Sequence, residues 1–130
     1  MIYNELVENC FFEPKHVGMM DCHLKNTLCH QVGNVSQREY FDLYLSFDET
    51  GQILKACFKA YGNPYLIAGV EWVCRQLEGT LINEHPKFDY HFVVQKLAIP
   101  KSYYPIALLV GNGYHDIVHT VKEQLRKNDE

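Results

Sequence analysis

Two Cys-His pairs lie close together in the first quarter of the chain and offer ligands for a soft metal ion. Cys22-His23 and Cys29-His30 supply two sulfur and two nitrogen donors, the donor set of tetrahedral zinc. Their spacing matches no standard zinc knuckle, and adjacent side chains do not easily point at one ion. The two pairs therefore define an alternative metal site, and the competing interpretation is that all four are solvated loop residues.

The other three cysteines fit structural roles better than chemical ones. Cys10 and Cys74 fall on apolar helical stripes, where a thiol behaves as a small hydrophobic side chain. Cys57 alternates with Lys55 and Lys59, cations that would lower its pKa and make it reactive, but a partly covered structural thiol is the favoured interpretation. Five cysteines without framework spacing predict free thiols in a reducing compartment.

Tyrosine is unusually frequent, and six of the nine tyrosines suggest a contact surface. Tyrosine is favoured at the centres of protein interfaces, so these side chains could form an aromatic docking surface. The alternative is that several of them simply cover a sheet. The six are Tyr40, Tyr44, Tyr61, Tyr65, Tyr103 and Tyr104.

Size and composition predict a single folded domain over residues 1–130. The 130 residues suffice for one core, and 47% hydrophobic and 13% aromatic residues exclude a disordered chain. A net charge of −4 without a basic run argues against nucleic acid as a partner. Because the sequence has neither a leader pattern nor an apolar stretch of about 20 residues, we expect a cytoplasmic protein without a membrane association.

Hydrophobic periodicity predicts an α+β order of elements. Over 40–47 and 52–61, apolar and polar side chains alternate with period two. This pattern predicts two strands that form a hairpin with one solvent-exposed face. A first strand is expected near 31–35, after a long loop. Helices are predicted over 3–12, 64–78 and 89–97, and a last helical region after Pro105 is interrupted at Gly111-Asn112-Gly113.

Four short strings follow one another in the order and with the spacing of a known family pattern. They are EPKHVG at 13–18, DETGQI at 48–53, FKAYG at 58–62 and LAIP at 97–100. These strings are similar to the elements N-P-R-N-x-G, D-D-x-G-x-I, F-K-x-Y-G-C and L-x-L-P-P-V-K. Together they resemble the IscU/NifU N-terminal-type iron-sulfur cluster assembly scaffolds. The resemblance implies a small antiparallel three-stranded sheet with helices packed on one face.

The same resemblance locates the positions at which the family holds its cluster. Its three cysteine positions fall at Gln37, or Ser36 if the register shifts by one, at Asn63 and at Ile106, and its aspartate position falls at Glu39. Neither an amide nor an aliphatic group replaces a thiolate, because an amide does not ionise and Ile106 has no lone pair. We therefore expect no cofactor at the family site. Zinc or an iron-sulfur cluster at the two Cys-His pairs is the alternative.

The family's chaperone-binding segment is also altered, and this shapes the functional hypothesis. Pro100 is retained, but a tyrosine stands where the family has lysine, so the partner-binding candidates are Pro100, Lys101, Tyr103 and Tyr104. The favoured hypothesis is a degenerate scaffold that is not an enzyme and acts as a protein-binding or regulatory module. Its partner would be a cysteine desulfurase or another assembly component. The alternatives are a carrier with relocated ligands and a subunit recruited to an unrelated complex.

Overall fold

The computed structural model describes residues 3–85 and 89–129, which form one sheet and four α-helices. The elements in chain order are α1 (Glu5–Phe12), β1 (Thr27–Asn34), β2 (Glu39–Phe47), β3 (Ile53–Tyr61), α2 (Pro64–Leu77), α3 (Tyr90–Leu97) and α4 (Tyr104–Asn128). Short 3-10 turns at Val35–Gln37, Ile82–Glu84 and Lys101–Tyr103 precede β2, α3 and α4. The predicted opening helix, hairpin and two central helices are confirmed to within a few residues.

The strands form an antiparallel sheet in the order β1-β2-β3. The hairpin between β2 and β3 closes through Asp48, whose Oδ1 accepts hydrogen bonds from the backbone N–H groups of Thr50 and Gln52 at 2.9 and 3.1 Å. Gly51 completes the turn with a φ of +90°, a conformation that favours glycine. Helices α2 and α4 pack on the sheet, and α1 and α3 pack on those helices. The predicted α+β fold with helices on one face is confirmed.

The centre of the core is the side of β2 that faces the helices. Its four alternating apolar side chains are each 2% exposed or less, namely Phe41, Leu43, Leu45 and Phe47. Burying a large apolar side chain contributes about 1.5–3 kcal/mol before chain entropy is subtracted. The period-two pattern of this strand therefore decides which face of the sheet the helices cover.

Helix α4 runs without a break through Gly111-Asn112-Gly113, where the sequence predicts an interruption. A Cβ on Gly113 would lie 2.6 Å from Cζ of Phe41, and a Cβ on Gly111 would lie 3.3 Å from the backbone nitrogen of Tyr90. The two glycines permit close packing and do not end the helix, so the predicted interruption is wrong. Although α4 has 25 residues, no helix in 3–85 and 89–129 is long and apolar enough to cross a bilayer.

Strand β1 begins at Thr27, four residues before the position at which the sequence places it. It pairs with β2 over its whole length, from Thr27 opposite Ser46 to Asn34 opposite Glu39. The polar His30 occupies a position on the helix-facing side, between Leu28 and Val32, and so hides the alternation. The prediction of a strand starting near residue 31 is therefore too late.

The face of the sheet that lies away from the helices is less exposed to solvent than the period-two alternation predicts. Tyr44 and Cys57 belong to this face, yet they are only 5% and 3% exposed. The connection from α1 to β1 covers them, since a Cβ on Gly18 would lie 3.7 Å from Sγ of Cys57. Cys22, further along the same connection, interacts electrostatically with both residues. The expectation of a solvent-exposed face is therefore wrong at Tyr44 and Cys57.

Candidate functional site

The residues that the sequence predicts at the family ligand positions lie near the ends of several elements, a region that we call the corner. Gln37 ends the 3-10 turn before β2, Glu39 begins β2, and Asn63 directly follows β3. Because Tyr40 pairs with Tyr61 across the hairpin, these three residues share one end of the sheet. The fourth, Ile106, lies in the first turn of α4 and is 3% exposed.

Backbone geometry fixes the polar side chains of the corner. Asn63 caps α2, because its Oδ1 accepts hydrogen bonds from the N–H groups of Tyr65 at 2.7 Å and Leu66 at 3.4 Å. Gly62 precedes it with a φ of +146°, and a Cβ there would lie 3.5 Å from Cγ of Glu39. The tighter approach is to α2, where the same Cβ would lie 2.9 Å from Cδ2 of Leu66, so glycine permits the close packing of Leu66.

The corner supplies carboxylate and amide oxygens but no thiolate. Among Gln37, Glu39, Asn63 and Ile106, only Glu39 has an ionisable side chain. Asn63 already uses its oxygen on the cap of α2. Iron-sulfur clusters are held by cysteine thiolates, with imidazole in some centres. The donors of these four residues therefore differ from the thiolate and imidazole donors that hold such clusters.

Tyrosine rings surround the corner and link its elements. Tyr40 and Tyr61 stack with ring centroids 4.9 Å apart, and Tyr65 of α2 contacts Tyr103 at 5.5 Å. The second contact brings the start of α4 beside the start of α2. Tyr61 and Tyr103 remain 49% and 41% exposed, so each ring is held by a neighbour and also presented to solvent.

The segment predicted to correspond to the family's chaperone-binding position leads directly into α4. Pro100 and Lys101 are exposed and start the 3-10 turn that ends at Tyr103. Tyr104 begins α4 and is half-buried, with its ring 6.2 Å from that of Tyr90. Three of the four partner-binding candidates are therefore accessible, while Tyr104 also supports the packing of α3 against α4.

The two Cys-His pairs do not converge on one point. Cys29 and His30 are successive residues of β1, so their side chains lie on opposite faces of the sheet. The Nε2 atom of His30 is 3.3 Å from a carboxylate oxygen of Asp116 in α4, whereas Cys29 lies opposite Tyr44 on the other face. Within 3–85 and 89–129, no group of three or more Cys, His, Asp or Glu side chains is arranged to hold a metal ion.

Burial raises the pKa of four of the five cysteine thiols and so makes them less reactive. It raises the pKa of Cys57, although Lys55 opposes the shift, and it raises the pKa of Cys10 and Cys74 as well. Burial and a hydrogen bond with Cys22 raise the pKa of Cys29 to about 11. The buried, structural interpretation of Cys10, Cys57 and Cys74 agrees with these environments.

A buried carboxylate, which the sequence did not single out, anchors the connection that leads to β1. Glu71 in α2 is 0% exposed, and its Oε1 accepts a hydrogen bond from the Lys15 N–H at 2.8 Å. Arg75, one turn later, donates from Nε to its Oε2 at 2.7 Å. Burial opposes ionisation of Glu71, but the hydrogen bonds outweigh it and hold its pKa below the usual value. The detectable signal was one acidic residue on an apolar helical stripe.

Comparison with known protein families shows which family this chain belongs to. Residues 2–128 match the NifU-like N terminal domain family. This chain belongs to the NifU-like N-terminal domain family. The match spans nearly all of the sequence, so the predicted resemblance is confirmed.

The similar relatives are named for one process, iron-sulfur cluster assembly. The iron-sulfur cluster assembly scaffold protein IscU of Buchnera aphidicola from Schizaphis graminum is 25% identical over 98% of this chain and 100% of its own length. The iron-sulfur cluster assembly protein IscU of Plasmodium falciparum is 27% identical over 96% of this chain and 75% of its own length. The relatives are named as assembly proteins and scaffolds, not as enzymes.

A solved structure supports the same NifU-like fold. The iron-sulfur cluster assembly scaffold protein for the SUF system of Fervidobacterium islandicum superimposes with a TM-score of 0.66 and 17% identity, covering 88% of this chain and 95% of that one. At this identity the similarity establishes the fold alone.

Family membership also corrects one expectation. The sequence led us to expect a protein without a cofactor, but the relatives of this NifU-like chain are scaffolds for iron-sulfur clusters. An iron-sulfur cluster is the cargo of this family's role, and the expectation of none is wrong.

Proposed function

We propose that this protein acts in iron-sulfur cluster assembly by binding a component of the assembly machinery through its corner, and that this component is a cysteine desulfurase. The observation that supports the proposal is the corner: Glu39 and Asn63 lie at one end of the sheet, and the contact between Tyr65 and Tyr103 brings the start of α4 beside the start of α2. The named members of the family are iron-sulfur cluster assembly proteins.

The shape and chemistry of the corner favour a protein partner. Tyr61 and Tyr103 present exposed rings that are already held in place by Tyr40 and Tyr65. An aromatic ring that is fixed before binding loses little conformational entropy in the complex and buries a large area. Such rings are typical of the residues that dominate binding energy at interfaces.

Charge adds a polar rim to this aromatic surface. Glu39 lies at the start of β2, and Lys101 lies in the exposed turn before α4. Rim charges govern the rate of association and its salt dependence more than they govern affinity. We therefore assign affinity to the tyrosines and orientation to these two charged groups.

Direct binding tests the proposal. The full chain is titrated against a purified cysteine desulfurase of the same organism, and the dissociation constant is measured by biolayer interferometry. The variant Tyr61→Ala/Tyr103→Ala removes both exposed rings of the corner. Phe12→Ala is the matched control, because Phe12 is 71% exposed at the distal end of α1 and belongs to no part of the corner.

We expect saturable binding that the double variant weakens at least about tenfold, which corresponds to about 1.4 kcal/mol. The Phe12→Ala control should bind as the wild type does. Absence of binding by the wild type would contradict the choice of partner. Equal weakening by the control would show that the corner is not the docking surface.

A further inference from the structure

The chain covers one edge of its three-stranded sheet with its own groups. Along β3, the Phe58 N–H donates to the carbonyl of His16 at 2.9 Å, and the Gly18 N–H donates to the carbonyl of Phe58 at 2.9 Å. The Ala56 N–H on the same edge donates to a carboxylate oxygen of Glu78 at 2.9 Å. The outer edge of β3 is therefore already occupied at these positions and is closed to another strand there.

The outer edge of β1, in contrast, carries backbone groups that make no hydrogen bond. The Phe47 N–H donates to the carbonyl of Asn26 at 3.0 Å, so the even-numbered positions of β1 are the ones hydrogen-bonded to β2. The odd-numbered residues therefore direct their N–H and C=O groups away from the sheet. Within residues 3–85 and 89–129, no hydrogen bond occupies these groups at Cys29 and Gln31, and both residues are exposed.

Strand β1 also lacks the side chains that protect the edge of a sheet from further pairing. Native edges are commonly blunted by proline, by charged side chains or by being very short. The strand Thr27–Asn34 has eight residues and contains no proline, lysine, arginine, aspartate or glutamate. Like charges therefore do not oppose the approach of an identical strand, and the edge offers little attraction to a strongly charged segment.

We propose that β1 pairs with β1 of a second copy of this chain, antiparallel and about a two-fold axis, so that the two sheets join into one sheet of six strands. In a two-fold dimer each copy presents the same surface, and an antiparallel strand edge is complementary to itself under that symmetry. The proposal concerns the edge of the sheet and does not depend on the proposed function of the corner.

Hydrogen-bond geometry selects the register of this pairing. Hydrogen-bonded pairs form only between the outward-directed, odd-numbered residues of the two strands. One register pairs all four of them, with Cys29 opposite the partner subunit's Gln31 and Thr27 opposite the partner subunit's Gly33. The two His30 side chains then face each other at the axis, in a pair without hydrogen bonds, on the side of the sheet that carries the helices.

Helix α4 leaves room for a second copy. A Cβ on Gly113 would lie 2.6 Å from Cζ of Phe41 in β2 and 3.3 Å from Cγ2 of Val32 in β1, so the helix lies above the gap between these strands and not above the outer edge. Because neighbouring strands are about 4.8 Å apart, the two α4 helices of the dimer would lie roughly 10 Å apart. Packed helices are separated by about 8–10 Å, so α4 of one copy would pack against α4 of the other.

Sedimentation velocity of the reduced full chain over a concentration series tests whether the dimer forms. We expect a reversible equilibrium between monomer and dimer. Gln31→Pro removes the N–H that each copy donates across the axis and leaves the bonds to β2 in place, so it should raise the dissociation constant at least about tenfold. Gln31→Ala is the matched control, because it loses the same side chain but keeps the N–H, and it should dimerise as the wild type does.

A cysteine cross-link tests the register. The background Cys22→Ser/Cys29→Ser removes the exposed native thiols. In that background, His30→Cys places two thiols at a pair whose Cα atoms are about 4.5 Å apart, a distance that a disulfide spans. Oxidised glutathione should then link two chains through residue 30. Leu28→Cys in the same background is the control, because this position lies opposite the partner subunit's Val32 and should not link to its own copy.

Three results would overturn the proposal. A wild type that stays monomeric at every concentration would leave the edge to an extended segment of another protein. A dimer that Gln31→Pro and Gln31→Ala affect equally would not be held by the β1 backbone, and a cross-link at residue 28 in place of residue 30 would exclude the register. Circular dichroism identifies any variant that has lost its structure, and sedimentation of the wild type decides whether a dimer forms without reference to any variant.

Discussion

The carboxylate of Glu71 holds His16 at two points, one on the backbone and one on the ring. The His16 N–H lies 2.9 Å from Oε1, and Nδ1 lies 2.8 Å from Oε2. The other ring nitrogen of His16 is 3.3 Å from Oε1 of Glu78, whose second oxygen accepts a hydrogen bond from the Ala56 N–H. Two acidic residues of the α2 region thus join the start of the α1–β1 connection to β3.

This arrangement predicts a large stability loss for Glu71→Gln. Removing one partner of a buried, hydrogen-bonded charge network costs about 3–5 kcal/mol, so we expect the free energy of unfolding at pH 7 to fall by about 3 kcal/mol. Urea denaturation followed by circular dichroism measures it. Glu123→Gln is the control, because its ion pair with Arg126 is on the surface and should contribute less than about 1 kcal/mol.

The same carboxylate predicts how this loss depends on pH. The pKa of Glu71 is lower in the folded chain than its ordinary value of 4.5. Its contribution to stability is therefore complete above pH 4.5 and disappears as pH falls through the lower folded pKa. The difference between wild type and Glu71→Gln should shrink below pH 4.5. A difference that stayed constant down to the acid limit would contradict the assigned ionised state.

Close packing predicts that Gly113→Ala destabilises the protein although alanine favours helices. The new Cβ would lie 2.6 Å from the Phe41 ring, which is enclosed in the core, so we expect a loss of about 1–3 kcal/mol. Asn112→Ala, at the exposed neighbouring position of α4, should be neutral or slightly stabilising. Thermal unfolding of both variants would refute the packing argument if Gly113→Ala were as stable as Asn112→Ala.

The corner predicts the effect of adding thiolates. The triple variant Gln37→Cys/Asn63→Cys/Ile106→Cys should retain more iron and sulfide than the wild type after anaerobic reconstitution, because cysteine thiolates hold such clusters. Loss of the Asn63 cap should cost about 1 kcal/mol of stability. The double variant that keeps Ile106 is the control and should retain less than the triple variant. Equal iron content in wild type and triple variant would argue against these positions as a ligand set.

The raised pKa of Cys29 predicts an unusual pH profile for its alkylation. The rate with iodoacetamide should keep rising up to about pH 11, where an ordinary thiol levels off near pH 9. Cys22→Ser removes one of the causes of the shift, so the profile should move to lower pH while burial keeps it above the ordinary value. Mass spectrometry of the Cys29 peptide measures the rate, and a plateau near pH 9 in the wild type would contradict the assigned environment.

The sequence was informative where one face of an element is uniformly apolar. The alternation of Phe41, Leu43 and Leu45 predicts β2 and its buried face, and the Asn63-Pro64 start of α2 follows from capping chemistry. These signals are local, because each depends on neighbours along one element. Together with the four family strings, they suffice for the fold.

The predictions from the sequence were wrong where contacts between segments distant in the chain determine whether a residue is buried or a helix continues. Gly113 looks like a helix break until Phe41 is seen against it, and Tyr44 looks exposed until the α1–β1 connection is seen to cross the sheet. The burial of Glu71 beneath His16 likewise depends on the path of that connection. A loop without periodicity carries no signal of its path.

Competition is the most direct test of the proposed role in cluster assembly. A labelled iron-sulfur cluster scaffold protein of the same organism is bound to its cysteine desulfurase, and the unlabelled full chain is added while fluorescence anisotropy is recorded. Because the two proteins share a fold and, on this account, a docking corner, we predict that the chain displaces the scaffold, and that Tyr61→Ala/Tyr103→Ala displaces it at least about tenfold less effectively. An anisotropy that remains unchanged at saturating concentrations of the chain would contradict the account.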